Sequence, residues 1–151
     1  MIKLKKTPCL LMLAVLLLFV SWKKEPGQVK EPDQVTVQHI LIAFKGSIPK
    51  AQVTRTKAEA KALAFEIFNR AKKGEDFDAL VREYTDDSYP GIYKMSNFNI
   101  EPDSSKRVFS RSKMVKAFGD VSFSLSVNGI GLAKYDPKNS KYGWHIIKRL
   151  E

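Results

Sequence analysis

The chain has a single cysteine, Cys9, and it lies in the N-terminal apolar segment. The globular part therefore has no disulfide, no thiolate metal site and no cysteine nucleophile. Histidine is almost as scarce. His39 and His145 are the only two, and no carboxylate stands at a spacing that would complete a metal site with them. Acids are outnumbered by bases, 16 against 26, which leaves a formal charge of +10. Internal repeats and low-complexity tracts are also missing, which excludes solenoids and biased linkers as the main architecture.

What is present suits one folded domain with an appendage: 151 residues, 44% apolar and 28% charged. Residues 1–22 hold three lysines and no acid, so the remainder carries +7. Such an excess favours anionic partners, whether nucleic acid, an anionic membrane face or acidic polypeptides. The basic residues are scattered rather than clustered on one element, which fits a solvated surface.

Residues 1–22 read as an export signal. Lys3, Lys5 and Lys6 form a basic start, and Pro8 to Val20 is a leucine-rich apolar run. The run is short for a membrane span and typical of a signal-peptide core. Its end, Leu18-Phe19-Val20-Ser21-Trp22, has the shape of a lipoprotein signal with Trp22 where a lipidated cysteine would stand. The segment is thus an uncleaved anchor, a cleaved signal, or a variant lipoprotein signal. An exported chain is not a nucleic-acid binder. Residues 23–34 are polar, with Pro26, Gly27 and Pro32, and read as a flexible tether.

Two apolar runs each enclose one histidine: Val35-Thr36-Val37-Gln38-His39-Ile40-Leu41-Ile42 and Tyr142-Gly143-Trp144-His145-Ile146-Ile147-Lys148-Arg149. A histidine inside a strand-like run is placed to be held by hydrogen bonds, and pairing of the two strands would join the histidines. In the first run apolar groups occupy both faces, as in a central, covered strand. A helix follows. Thr56 and Glu59 form a capping box, Ala60, Leu63, Ala64, Ile67, Phe68 and Ala71 keep helical spacing, and Gly74 is the stop. A second helix begins at Asp76, with Phe77, Leu80, Val81 and Tyr84 on one face. Gly91 to Met95 is expected to be a short strand, and Ser96 to Ser110 to be irregular. Ser112 to Val121 is expected to form a helix carrying Met114, Phe118 and Val121. Asn128-Gly129 turns into a strand over Ile130–Ala133, and the final strand follows. The order β-α-α-β-α-β-β predicts an α+β domain over residues 35–151, with a small four-stranded, mainly antiparallel sheet surrounded by helices.

The ordered set of segments resembles the parvulin-type peptidyl-prolyl cis-trans isomerases. It comprises His39-Ile40-Leu41-Ile42, Thr56 to Ala64, Gly74-Glu75-Asp76-Phe77-Asp78-Ala79-Leu80, Tyr84-Thr85-Asp86-Asp87-Ser88, Met114 to Leu125, and Gly143-Trp144-His145-Ile146-Ile147. The resemblance implies that His39 and His145 are the paired central histidines and that Asp87 faces the substrate. It implies that Met114 and Phe118 form the proline pocket, and that Ser140 supplies a hydroxyl that fixes one histidine tautomer. The family's Gly-Asp-Leu-Gly segment is poorly kept at Gly91-Ile92-Tyr93-Lys94-Met95. No cofactor and no metal is implied. The expected partners are proline-containing unfolded or exported polypeptides, with the N-terminal segment on a membrane, and the expected state is a monomer. The location implied is the periplasm or cell envelope. Asp87 could act as a carboxylate or, if its pKa rises on burial, as a protonated donor. A chaperone or binding module with little isomerase activity is the competing expectation.

Overall fold

The computed structural model describes residues 30–50 and 52–151. The export segment expected at 1–22 and residues 23–29 of the expected tether lie outside the described residues. Five strands and three helices follow in the order β1 (Gln34–Ile42), α1 (Lys57–Lys72), α2 (Phe77–Tyr84), β2 (Ile92–Ser96), β3 (Val108–Ser110), α3 (Lys116–Ser124), β4 (Ile130–Ala133) and β5 (Trp144–Arg149). Among the described residues no helix is long and apolar enough to cross a membrane.

The sheet order is β3-β2-β1-β5-β4, antiparallel throughout except for the β2–β3 pair. The four strands expected from sequence become five. The added one, β3, is three residues long and lies in the stretch expected to be irregular. It pairs parallel to β2, from Lys94↔Val108 to Ser96↔Ser110. A strand so short shows no alternation, so nothing in its own residues marks it.

β1 is central and covered on both faces, which is why apolar residues occupy both of its registers. On one face Ile40 and Ile42 pack with Ala60, Ala64 and Ile67 of α1, Phe77, Leu80 and Val81 of α2, and Trp144 and Ile146 of β5. The alanines let α1 lie close to the sheet. On the other face Val35 and Val37 meet Met95, Phe118, Phe123, Ala133 and Ile147. Each fully buried isoleucine in these layers contributes about 2 kcal/mol. The capping box of α1 is formed: Thr56 Oγ1 accepts from the Glu59 amide at 3.2 Å, and the Glu59 carboxylate accepts from the Thr56 amide at 2.7 Å.

Two further boundaries differ from the sequence reading. α3 starts at Lys116 rather than Ser112, because Arg111–Lys113 forms a separate 3₁₀ turn and Met114 is extended after it. Met114 therefore precedes the helix that carries Phe118. β5 begins at Trp144 rather than Tyr142 because Gly143 adopts φ 145°. A Cβ at Gly143 would stand 2.1 Å from the Ile42 carbonyl oxygen, so only glycine lets β5 dock on the end of β1. At the other end of the fold, Glu31 and Asn97 hydrogen-bond to the buried guanidinium of Arg111. The last residues before β1 thereby rest on the domain.

Candidate active site

The strand pairing sets up the site. β1 and β5 are antiparallel with Leu41↔His145 and His39↔Ile147 in register. The two histidines thus sit diagonally across the pair on the face turned toward α3. Their Nδ1 atoms lie 3.3 Å apart and their rings stack with centroids at 5.4 Å. Both are buried. Phe118 of α3 closes over them, its ring 5.1 Å from His39 and 5.5 Å from His145.

Asp86 and Asp87 follow α2 and diverge. Thr85 ends the helix in an extended conformation, and the chain then runs beside the end of β1. The Asp86 amide donates to the Leu41 carbonyl at 2.8 Å, and the Thr85 hydroxyl accepts from the Leu41 amide at 3.2 Å. The Asp86 carboxylate accepts from the Ala43 amide at 2.7 Å and pairs with the Arg55 guanidinium, while Lys50 donates to the Asp86 carbonyl. Asp86 therefore anchors the loop. Asp87 points the other way. Its Oδ2 lies 3.1 Å from His39 Nε2 and accepts from the Tyr93 hydroxyl at 3.0 Å.

These donors decide the protonation of Asp87. The hydrogen bond from His39 holds its carboxyl well below the usual carboxylate range, outweighing partial burial, with the Ser88 amide and the Tyr93 hydroxyl acting in the same direction. The protonated form of Asp87 is thus disfavoured at neutral pH. The Tyr93 phenol is pushed up to about 12 by burial and by the Asp87 charge. His145 is pushed down to about 3, mainly by burial and secondarily by His39, so it is neutral.

An ionised Asp87 only accepts, so His39 must donate from Nε2. His145 is neutral and its Nε2 is buried without a partner, so its proton lies on Nδ1, which faces His39 Nδ1 at 3.3 Å. An unprotonated ring nitrogen is the less costly group to leave unpaired there. The resulting relay is His145 Nδ1–H to His39 Nδ1, and His39 Nε2–H to Asp87.

Ser140 takes no part in it. Its hydroxyl donates to the Gly143 carbonyl at 3.0 Å, and its backbone pairs with Asp136. The structure places the Ser140 hydroxyl on the Gly143 carbonyl rather than on a histidine ring, where it pins the loop before β5.

The five other residues expected at the site, His39, Asp87, Met114, Phe118 and His145, line one cleft of about 520 Å³. Leu41, Ile48 and Tyr142 add apolar wall. Tyr93 is a residue of this cleft that the sequence reading missed. It stands in the segment that departs from the family pattern, yet its ring packs edge-on against His39 at 5.2 Å and its hydroxyl holds Asp87. The signal was the alternation in β2, where Tyr93 and Met95 face inward between exposed Ile92 and Lys94. Gly91 brings β2 to this position: at φ 66°, a Cβ would lie 2.6 Å from the His39 carbonyl oxygen. Among the described residues no three His, Cys, Asp or Glu side chains converge as a metal site. The arrangement is an apolar cleft with the Asp87 carboxylate at its wall, held by His39 and Tyr93.

The PPIC-type PPIase domain family matches residues 21–151. Foldase protein PrsA of Geobacillus sp. (strain WCH70) is 30% identical over 118 residues, which is 78% of this chain and 38% of the relative. Chaperone SurA of Pseudomonas syringae pv. syringae (strain B728a) is 31% identical over 124 residues, 82% of this chain and 24% of the relative. The chain thus spans less than half the length of either relative. In fold it is similar to the peptidyl-prolyl isomerase ESS1 from Candida albicans, with TM-score 0.56 and 21% identity, over 82% of this chain and 66% of that one.

Proposed function

The chain belongs to the PPIC-type PPIase family, and on that premise we propose that it isomerises X-Pro bonds in unfolded or exported polypeptides. The observation that carries this reading is the Asp87 carboxylate, held by His39 and Tyr93 in the wall of an apolar cleft of about 520 Å³. Prolyl isomerisation needs neither cofactor nor covalent intermediate. The barrier of about 20 kcal/mol comes from the partial double-bond character of the C–N bond. Met114, Phe118 and Leu41 hold the proline ring out of water. Asp87 disfavours negative charge on the carbonyl oxygen, and so disfavours the resonance form that keeps the amide planar. The twisted amide is then stabilised relative to the planar one. His39 and His145 orient Asp87 rather than carry protons to the substrate. Ser140 supports the loop behind them.

Tyr93 bears on the competing holdase reading. The segment that departs from the family pattern supplies a hydrogen bond to Asp87, which favours a working isomerase over a binding module alone. Two relatives named foldase and chaperone support polypeptide clients. We further propose that residues 1–22 export the chain and, where they are retained, anchor it at the cell envelope, with residues 23–34 linking them to the domain. Exchange NMR on X-Pro peptides tests the activity. Acceleration by the wild type that falls with Asp87→Ala supports it, and no acceleration by the wild type refutes it. Mass spectrometry of the mature N-terminus tests the anchor.

A further inference from the structure

β3 begins opposite Lys94, so the edge of β2 before that point is left uncovered. β3 pairs only with Lys94–Ser96, so Ile92 and Tyr93 have no strand neighbour on that side among the described residues. A groove of about 380 Å³ lies there, with Tyr89, Ile92, Tyr93, Lys94, Arg107 and Phe109 in its walls. Three of these expose large apolar side chains: Tyr89 is 47% accessible, Ile92 46% and Phe109 48%. Apolar groups grouped this way at an open strand edge suit a polypeptide ligand. Tyr93 is also a wall of the proline cleft, and the Phe109 ring stands 6.0 Å from it. The groove is therefore a continuation of the cleft. Its rim is cationic. Lys106 is tied to Asp103 at 3.1 Å, whereas Lys94 and Arg107 make no ion pair among the described residues.

We propose that this groove is a second client subsite. It takes the extended segment that leaves the proline cleft past Tyr93, seating apolar side chains on Tyr89, Ile92 and Phe109 and an acidic side chain between Lys94 and Arg107. The client backbone runs alongside Ile92 and Tyr93, in the place that a longer β3 would fill. The clients preferred are those whose proline is flanked by an apolar stretch and then an acid. The identity of the occupant rests on the isomerase reading, but its binding does not require turnover.

The test uses the full-length chain, three peptides with one X-Pro core, and a glutamate-to-lysine version of each extended peptide. Of the three, one is a tetrapeptide, and the other two extend it on the N-terminal or the C-terminal flank with an apolar stretch ending in glutamate. Affinity is read by calorimetry and turnover by exchange NMR. One of the extensions is expected to bind about tenfold more tightly than the tetrapeptide, the size of burying one large apolar side chain. Ile92→Ser is expected to abolish most of that gain, and Arg107→Asn, which suits the positive φ of 55° there, to abolish the part lost when glutamate is exchanged for lysine. The tetrapeptide measures each variant's integrity, so the ratio of extended to short peptide is the readout. Extensions that bind no better than the tetrapeptide, or a gain that survives Ile92→Ser, overturn the subsite. Absence of turnover with retained, Ile92-dependent binding overturns the isomerase reading alone.

Discussion

Acidification should destabilise this domain through His145 well before any carboxylate is protonated. His145 is buried and neutral, with its pKa pushed from 6.5 down to about 3. In the unfolded chain the same ring takes up a proton as the pH falls through 6.5. The unfolded state therefore binds more protons than the folded one between about pH 7 and pH 3, and stability falls as the pH falls across that window. Integrated from pH 8 to pH 5, the loss is about 2 kcal/mol, a sizeable part of the 5–15 kcal/mol that holds a typical domain together. Asp87 acts in a separate window. Its depressed pKa stabilises the fold above about pH 4 and that contribution is lost only below it. Urea unfolding at a series of pH values, followed through the buried Trp144, measures the effect. His145→Asn is the control, because its side-chain amide can place an N–H near the position of Nδ1 and does not titrate. The variant is expected to be less stable at pH 8. Its stability should also fall less steeply with pH than the wild type's, by nearly one proton between pH 6 and pH 5, or about 1.4 kcal/mol per pH unit. Equal slopes for the two proteins would refute a neutral, buried His145.

Asp87→Ala should lower isomerase turnover by roughly tenfold, about 1.4 kcal/mol of barrier, with an unchanged far-ultraviolet spectrum; undiminished turnover would remove Asp87 from the mechanism. Tyr93→Phe deletes one donor to Asp87 and should raise the Asp87 pKa while costing about 1 kcal/mol of stability; carbon-detected NMR titration of the carboxyl reads the shift, and an unmoved value argues against the contact. Gly143→Ala forces a Cβ into the Ile42 carbonyl at φ 145° and should cost about 3 kcal/mol or more, seen as a large drop in melting temperature. Thr56→Ala opens the capping box and should cost about 1 kcal/mol; a melting temperature equal to that of wild type would show that the cap contributes nothing.

Local pattern made much of this molecule legible. α1 was readable from its capping box and apolar period, β1 from apolar residues on both faces, and β4 from the Asn128-Gly129 turn that starts it. What escaped depended on partners far away in sequence. Asp86 and Asp87 are neighbours with the same chemistry, and only the Ala43 amide and Arg55 on one side, against His39 on the other, give them different roles. Ser140 looked like a partner for a histidine, but its hydroxyl meets the Gly143 carbonyl first. Tyr93 was hidden because it stands where the family pattern fails. Its alternation with Met95 on one face of β2 was the available cue. β3 is defined by its pairing with β2, and three residues hold no period to read.

The sheet order has a consequence in time. The first strand, β1, and the last, β5, are adjacent at the centre, and the two histidines they contribute are 106 positions apart. A growing chain presents β1 early, yet nothing can occupy its β5 edge until residues 144–149 emerge. The non-local pairing makes folding a late event rather than a progressive one. A chain shortened by those last residues would lose His145, half of the central pairing and the cleft together, so the domain should have no partly active truncated form.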